Sequence, residues 1–161
     1  MRIICFHNPD EEYGFLSNWY LSEFHFNGIR YSSMEQYMMH RKALTFHDND
    51  IADQILATDD VSKIKALGRQ VHNYNDAVWN GVRQVIVYQG LIEKFSQNRE
   101  LGDQLLATGE ATLAEAARTD RIWGIGLTMD APERSDMAQW KGQNLLGFTL
   151  MLVREALRSG Q

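Results

Sequence analysis

The stretch from Phe24 to Gln36 commits this chain to two kinds of secondary structure in immediate succession. Phe24-His25-Phe26-Asn27-Gly28-Ile29-Arg30-Tyr31 alternates about Asn27-Gly28, a pair that tolerates the positive φ of a tight hairpin turn. Directly after it, Ser32-Ser33 reads as a helix start, because Ser32 with Glu35 and Ser33 with Gln36 both have capping-box spacing. A hairpin running into a helix without a linker points to an α+β fold.

The remaining signals are mostly helical. The first helix is expected to run to about Phe46, followed by short helices over Asp50 to Ala57 and Val61 to Leu67, the latter preceded by Asp59 and Asp60 at its positive end. Asn75-Asp76 caps a long helix to about Ser96, in which Val78, Trp79, Val82, Ile86, Gly90 and Leu91 keep three-to-four spacing. Asn98 opens another helix ending near Thr108-Gly109, and a last helix spans about Asn144 to Arg158. Arg2 to Phe6, Thr112 to Ala116 and Ile122-Trp123 suit short strands, whereas Thr128 to Gln139 is polar and irregular. The expectation is one mostly helical domain over residues 1–161 with a small antiparallel sheet.

Bulk properties remove several function classes. A net charge of -5 argues against general attraction to nucleic acid, while leaving room for a local cationic site for phosphate. A single cysteine, Cys5, excludes an internal disulfide and fits a reducing compartment. No run of about 18 apolar residues exists, and the start turns polar too soon for a signal peptide, so a cytoplasmic protein without membrane contact is expected. There is no Walker loop and no Gly-x-Ser-x-Gly elbow, and Gly124-Ile125-Gly126 lacks the third glycine of a dinucleotide fingerprint. The histidines show no paired ligand spacing, so neither a metal nor a cofactor is expected.

Two C-terminal segments concentrate chemistry: Thr119-Asp120-Arg121-Ile122-Trp123-Gly124-Ile125-Gly126 and Trp140-Lys141-Gly142-Gln143-Asn144-Leu145-Leu146-Gly147. Each places acid, base, amide or indole groups among glycines that let backbone come close to a ligand. Elsewhere, Glu35 is either a capping residue or a catalytic carboxylate, and Lys42 lies two turns further along the same face. Arg69 ends a helix, as a dipole partner or a phosphate fork. Trp79 and Arg83 are one turn apart, as core or as a stacking and phosphate pair. Glu115 faces solvent or a site from a strand of small residues. Asp120 suits a turn, Trp123 a core, and Lys141 a solvated surface, a phosphate or a nucleophilic role.

Ordered blocks across the chain resemble the NADAR superfamily, in particular its YbiA-like N-glycosidases. They are Phe15-Leu16-Ser17-Asn18, Asn27 to Tyr37, Lys42-Ala43, Ala66-Leu67-Gly68-Arg69, Trp79 with Arg83, Lys94-Phe95, Leu105 to Gly109, Leu113 to Ala116, Asp120 with Trp123 to Gly126, and Lys141 to Gly147. Departures are modest: Ala114 stands where relatives often carry valine, and Arg41 where glutamine or glutamate is common.

The resemblance implies a hydrolase of N-glycosidic bonds in ribosyl compounds. Its substrate would be a phosphoribosylamino-pyrimidine of riboflavin synthesis or, alternatively, ADP-ribosylated guanine; a module that binds ADP-ribose or NAD without cleavage is a third possibility. Catalytic roles would fall to Glu35, Asp120, Lys141 and Glu115. Substrate contacts would come from Asn18, Lys42, Arg69, Trp79, Arg83, Trp123, Gly124, Gly126 and Asn144. Lys141 either binds phosphate or captures the opened ribosyl group as a Schiff base.

Overall fold

A computed structural model of the chain describes residues 1–160. It is α+β and contains two compact units, one of residues 1–20 with 99–160, the other Leu21–Asn98.

In Leu21–Asn98 the expected hairpin forms. Strands β2 (Leu21–Phe26) and β3 (Ile29–Ser33) pair antiparallel with Phe24 opposite Tyr31 and Phe26 opposite Ile29. The turn between them holds Asn27 at φ 51° and Gly28 at φ 77°, the double positive φ that an Asn-Gly pair accepts. β3 runs straight into α1 (Met34–Thr45), whose N-cap is Ser33. Helices α2 (Asn49–Leu56), α3 (Val61–Gly68) and α4 (Asp76–Gln97) follow, and α1 packs against all three. Asp48, Asp60 and Asn75 cap these helices through their side-chain oxygens, the last two as the sequence suggests.

Aromatic rings fill the space between hairpin and helices in this unit. Tyr37 of α1 lies 5.2 Å from Tyr31, 5.8 Å from Phe24 and 5.4 Å from Phe26, centroid to centroid. Its hydroxyl donates to the Ile86 carbonyl at 2.7 Å. Gly90 is required beneath this ring, because a Cβ there would stand 2.3 Å from Tyr37 Cε1. Burial pushes the hydroxyls of both Tyr31 and Tyr37 up to about 12.

The other unit begins with β1 (Ile3–Phe6), and contains α5 (Arg99–Ala107), β4 (Thr112–Glu115) and α6 (Leu145–Arg158). The expected small antiparallel sheet is the β2–β3 hairpin; here a second two-stranded sheet forms in which β1 and β4 pair in parallel, Ile3 opposite Thr112 and Phe6 opposite Glu115. The two strands are joined by a long crossover rather than a tight turn, which is the connection parallel strands need. Ile122-Trp123 is not a strand either; the segment is a run of bends and turns. Ala114, Ala116, Ile125 and Leu127 form a buried apolar cluster, with Ile3, Cys5 and Trp140 packed on it. The polar stretch before α6 contains only the short 3-10 turns Pro132–Ser135 and Met137–Gln139. Among the described residues, no helix is long and apolar enough to cross a membrane.

Candidate functional site

The residues singled out by sequence fall into two sets, one in each unit. In Leu21–Asn98, Glu35 occupies the second position of α1 and is only 5% exposed. Capping at this helix start is carried by its neighbour. Gln36 N–H donates to Ser33 Oγ at 3.1 Å, and Gln36 Oε1 accepts from Ser32 N–H at 2.7 Å. The Ser33–Gln36 spacing is therefore the one realised, and the simple cap does not account for Glu35.

Lys42, two turns further along α1, donates from Nζ to the Gly68 carbonyl at 2.8 Å and lies 4.8 Å from the Tyr74 ring centroid. Burial lowers its pKa; the charge of Glu35 opposes that shift and the charge of Arg69 adds to it. Glu35 and Arg69 are thus each near enough to Lys42 to act on it electrostatically. Arg69 is the C-cap of α3, with an exposed side chain. Gly68 beside it packs under Met39, whose Sδ would have to move to admit a Cβ, the two standing 2.0 Å apart otherwise.

Trp79 and Arg83 share the buried face of α4, and Arg83 donates to Asn80 Oδ1 at 2.7 Å. Tyr74, in the loop before α4, was not singled out by sequence. It is 43% exposed, and its ring meets Phe46 edge-on at 5.3 Å. Burial and the hydrogen bond to Asp76 raise the pKa of its hydroxyl, and the charge of Arg83 acts against them. Two further polar features carried no clear signal in the sequence. Asp48 accepts from His72 through both its backbone N–H at 2.9 Å and Nδ1 at 2.7 Å. Lys94 of α4 is wholly buried, and burial drives its ammonium down to about 7.

In the other unit the two C-terminal motifs are bound to each other through their backbones. Lys141 N–H donates to Ile125 O at 2.8 Å, Gln143 to Arg121, Asn144 to Gly124, Leu145 to Ile122 and Leu146 to Trp123. Ile125 N–H donates in turn to Glu115 O at 2.8 Å, which ties the assembly to β4. The glycines serve this close packing. A Cβ at Gly142 would be 2.2 Å from Gly124 O, one at Gly124 would be 2.9 Å from Glu115 O, and Gly126 has φ +71°. The close approach that a Cβ would block at these glycines is to neighbouring backbone.

Asp120 does form a turn, its Oδ1 accepting from Ile122 N–H at 3.0 Å and Trp123 N–H at 2.8 Å. Glu115 ends β4 with its side chain half-buried. Lys141 is exposed and α6 begins only at Leu145. The desolvation and helix terminus that would support a covalent role are therefore not found at Lys141. Asn144 is buried at the N-cap of α6 with φ 52°, and both ends of its amide bind the backbone of β4. Asn18 is 6% exposed, and among the described residues its Oδ1 has no hydrogen-bond partner. Buried acceptors are rarely left so, and a ligand donor would complete this one.

Among the described residues, no group of three or more His, Cys, Asp or Glu is placed to hold a metal ion. The chemistry on offer is carboxylates, cations and aromatic rings.

A family model described as the NADAR domain matches residues 5–158. The chain is similar to N-glycosidase R617 of Acanthamoeba polyphaga mimivirus, 40% identical over 162 residues that cover 96% of this chain and 95% of that protein. It is also similar to riboflavin biosynthesis protein VVA0006 of Vibrio vulnificus, 33% identical over 96% of this chain but only 38% of that protein. The NMR structure of the Escherichia coli protein YbiA superposes with a TM-score of 0.82 at 28% identity, covering 99% of this chain and 86% of that one. Matched almost end to end by family model, sequence relative and solved structure alike, this chain belongs to the NADAR domain family.

Proposed function

We propose that this protein hydrolyses the N-glycosidic bond of a ribosyl phosphate compound, with phosphoribosylamino-pyrimidines as the substrate class, and that it does so in the cytoplasm. Hydrolysis of an N-glycosyl bond is the activity in the names of relatives matched over nearly their whole length. The pyrimidine substrate is supported by the riboflavin relative, whose greater part lies outside the match. The observation that carries the reading is the grouping of a buried carboxylate, Glu35, with the cations Lys42 and Arg69.

The chemistry needs such groups. Breaking a ribose–nitrogen bond develops positive charge at the anomeric carbon and negative charge on the departing base. A carboxylate beside the sugar stabilises the first and orients the attacking water, a task suited to the buried Glu35. Lys42, Arg69 and Arg83 offer charge-assisted hydrogen bonds to the substrate phosphate. In the other unit, Asp120 keeps Oδ2 beyond the two turn bonds made by Oδ1. Asp120 and Glu115 as carboxylates, Lys141 as an amine and Trp123 as an indole are that unit's own candidates for ligand contact.

The test is product analysis after exhaustive chelation, with a phosphoribosylamino-pyrimidine and an ADP-ribosylated guanosine offered separately. Release of ribose 5-phosphate from the first is expected. Release of ADP-ribose from the second alone would reassign the substrate, and binding without release from either would make the protein a binding module. Activity lost with EDTA and restored by a divalent cation would overturn the metal-free mechanism.

A further inference from the structure

Tyr74 has the setting of a ligand platform rather than of a stray surface aromatic. It stands in the loop between α3 and α4, and its ring is held from three directions. Phe46 meets it edge-on at 5.3 Å, Lys42 Nζ lies 4.8 Å from its centroid, and its hydroxyl donates to Asp76 Oδ1 at 2.8 Å. A ring restrained in this way loses little freedom when something stacks on it. Yet 43% of the residue remains exposed. The charges around it are those that receive phosphate: Lys42 on the ring, Arg83 acting on the hydroxyl, and Arg69 acting on Lys42. An aromatic face among cations is the composition with which proteins hold a phosphorylated sugar and its base together.

We propose that Tyr74 is a specificity-determining residue whose ring stacks on the planar base of the substrate, while the neighbouring cations hold the phosphate. The inference rests on reading Lys42, Arg69 and Arg83 as phosphate ligands, and adds the group that distinguishes a base-bearing ribose phosphate from a bare one. Stacking on an aromatic is sequence-tolerant, so Tyr74 selects for the presence of a base more than for its identity.

Two probes that differ only by the base test it by calorimetry: guanosine 5′-monophosphate and ribose 5-phosphate. The wild-type protein is expected to bind the nucleotide more tightly. Tyr74→Leu should weaken nucleotide binding by at least about fivefold, the lower end of one stacked base, and leave ribose 5-phosphate within about twofold. Tyr74→Phe keeps the ring and should retain both affinities, a rescue that loss of the Asp76 hydrogen bond alone would not give. The proposal is overturned if Tyr74→Leu weakens both probes equally, which would make Tyr74 a mere support for Lys42, if it weakens neither, or if the wild type shows no preference for the nucleotide. Hydrolysis is measured separately on the same preparations. A base preference without product release would sink the hydrolase reading and leave the platform standing; product release without a Tyr74-dependent preference would do the reverse.

Discussion

Asn144 Nδ2 donates to the carbonyl oxygen of Leu113 at 2.8 Å, so a side chain at the start of α6 acts as a hydrogen-bonding neighbour to β4. Oδ1 of the same amide accepts from Glu115 N–H at 3.0 Å, which fixes the strand end that carries that carboxylate. Asn144→Asp would turn the donor into an acceptor facing the Leu113 carbonyl. A loss of about 2 kcal/mol or more is expected, the cost of leaving buried polar groups unpaired, measured by urea denaturation. An unchanged midpoint would mean that β4 does not depend on this amide.

The neighbours Glu35 and Gln36 are expected to divide catalysis from structure. Gln36→Ala removes the cap reciprocation with Ser32 and the bonds from Nε2 to Ile55 O at 3.1 Å and Thr58 O at 2.8 Å. It should destabilise the fold by about 3 kcal/mol, because several buried groups lose a partner together. Glu35→Gln is close in shape and leaves the Ser33–Gln36 cap intact. It should lower turnover by at least about tenfold, the low end for a positioned acid or base, with a nearly unchanged melting temperature. Full activity in Glu35→Gln would return Glu35 to a structural role.

Lys94 sets a pH dependence with a definite sign. Its folded-state pKa is depressed to about 7 from 10.5, so between these values the unfolded chain binds the proton and the folded chain releases it. Stability therefore rises with pH across this window, by at most about 1.4 kcal/mol per pH unit from this one group. Denaturant unfolding at intervals from pH 7 to 10, on wild type and on Lys94→Met, should show the rise in the first and its absence in the second. Parallel profiles would assign the slope to other groups.

Lys141 is expected to matter to the reaction despite its exposure. Lys141→Ala should lower kcat/KM by at least about tenfold, roughly the worth of one charge-assisted hydrogen bond. The partition tells its role: a rise in KM alone marks a phosphate ligand, and a collapse of kcat marks a group acting in the chemical step. Borohydride during turnover would trap a ribosyl adduct only in the latter case. Wild-type kinetics in the mutant would remove Lys141 from the site.

Where structure is decided by neighbours in the chain, the sequence was readable. The Asn27-Gly28 turn, the Ser33 and Asn75 caps and the three-to-four spacing of α4 all appear in place, since each depends on contacts within a few residues. Pairing decided at a distance was not readable: nothing local to Ile3 or Thr112 reveals that they are parallel partners. Ile122-Trp123 has strand composition, but the Asp120 carboxylate takes the N–H groups of both and the carbonyls go to Leu145 and Leu146. Among the candidate residues, the grouping of Glu35 with Lys42 followed from helical spacing, whereas Tyr74 enters only because a loop folds it onto Lys42. The wholly buried Lys94 runs against the usual exposure of lysine, so composition pointed away from it.

The parallel pairing of β1 with β4 bears on how the protein is made. Leu21–Asn98 is an uninterrupted stretch whose hairpin and helices are all synthesised before β4. Ile3-Ile4-Cys5-Phe6 is synthesised more than 100 residues before its partner β4, a delay on the order of ten seconds at about 5–20 residues per second. For that interval a short apolar strand with open edges trails from the nascent chain. Slowed translation before residue 112 would prolong the exposure of this strand.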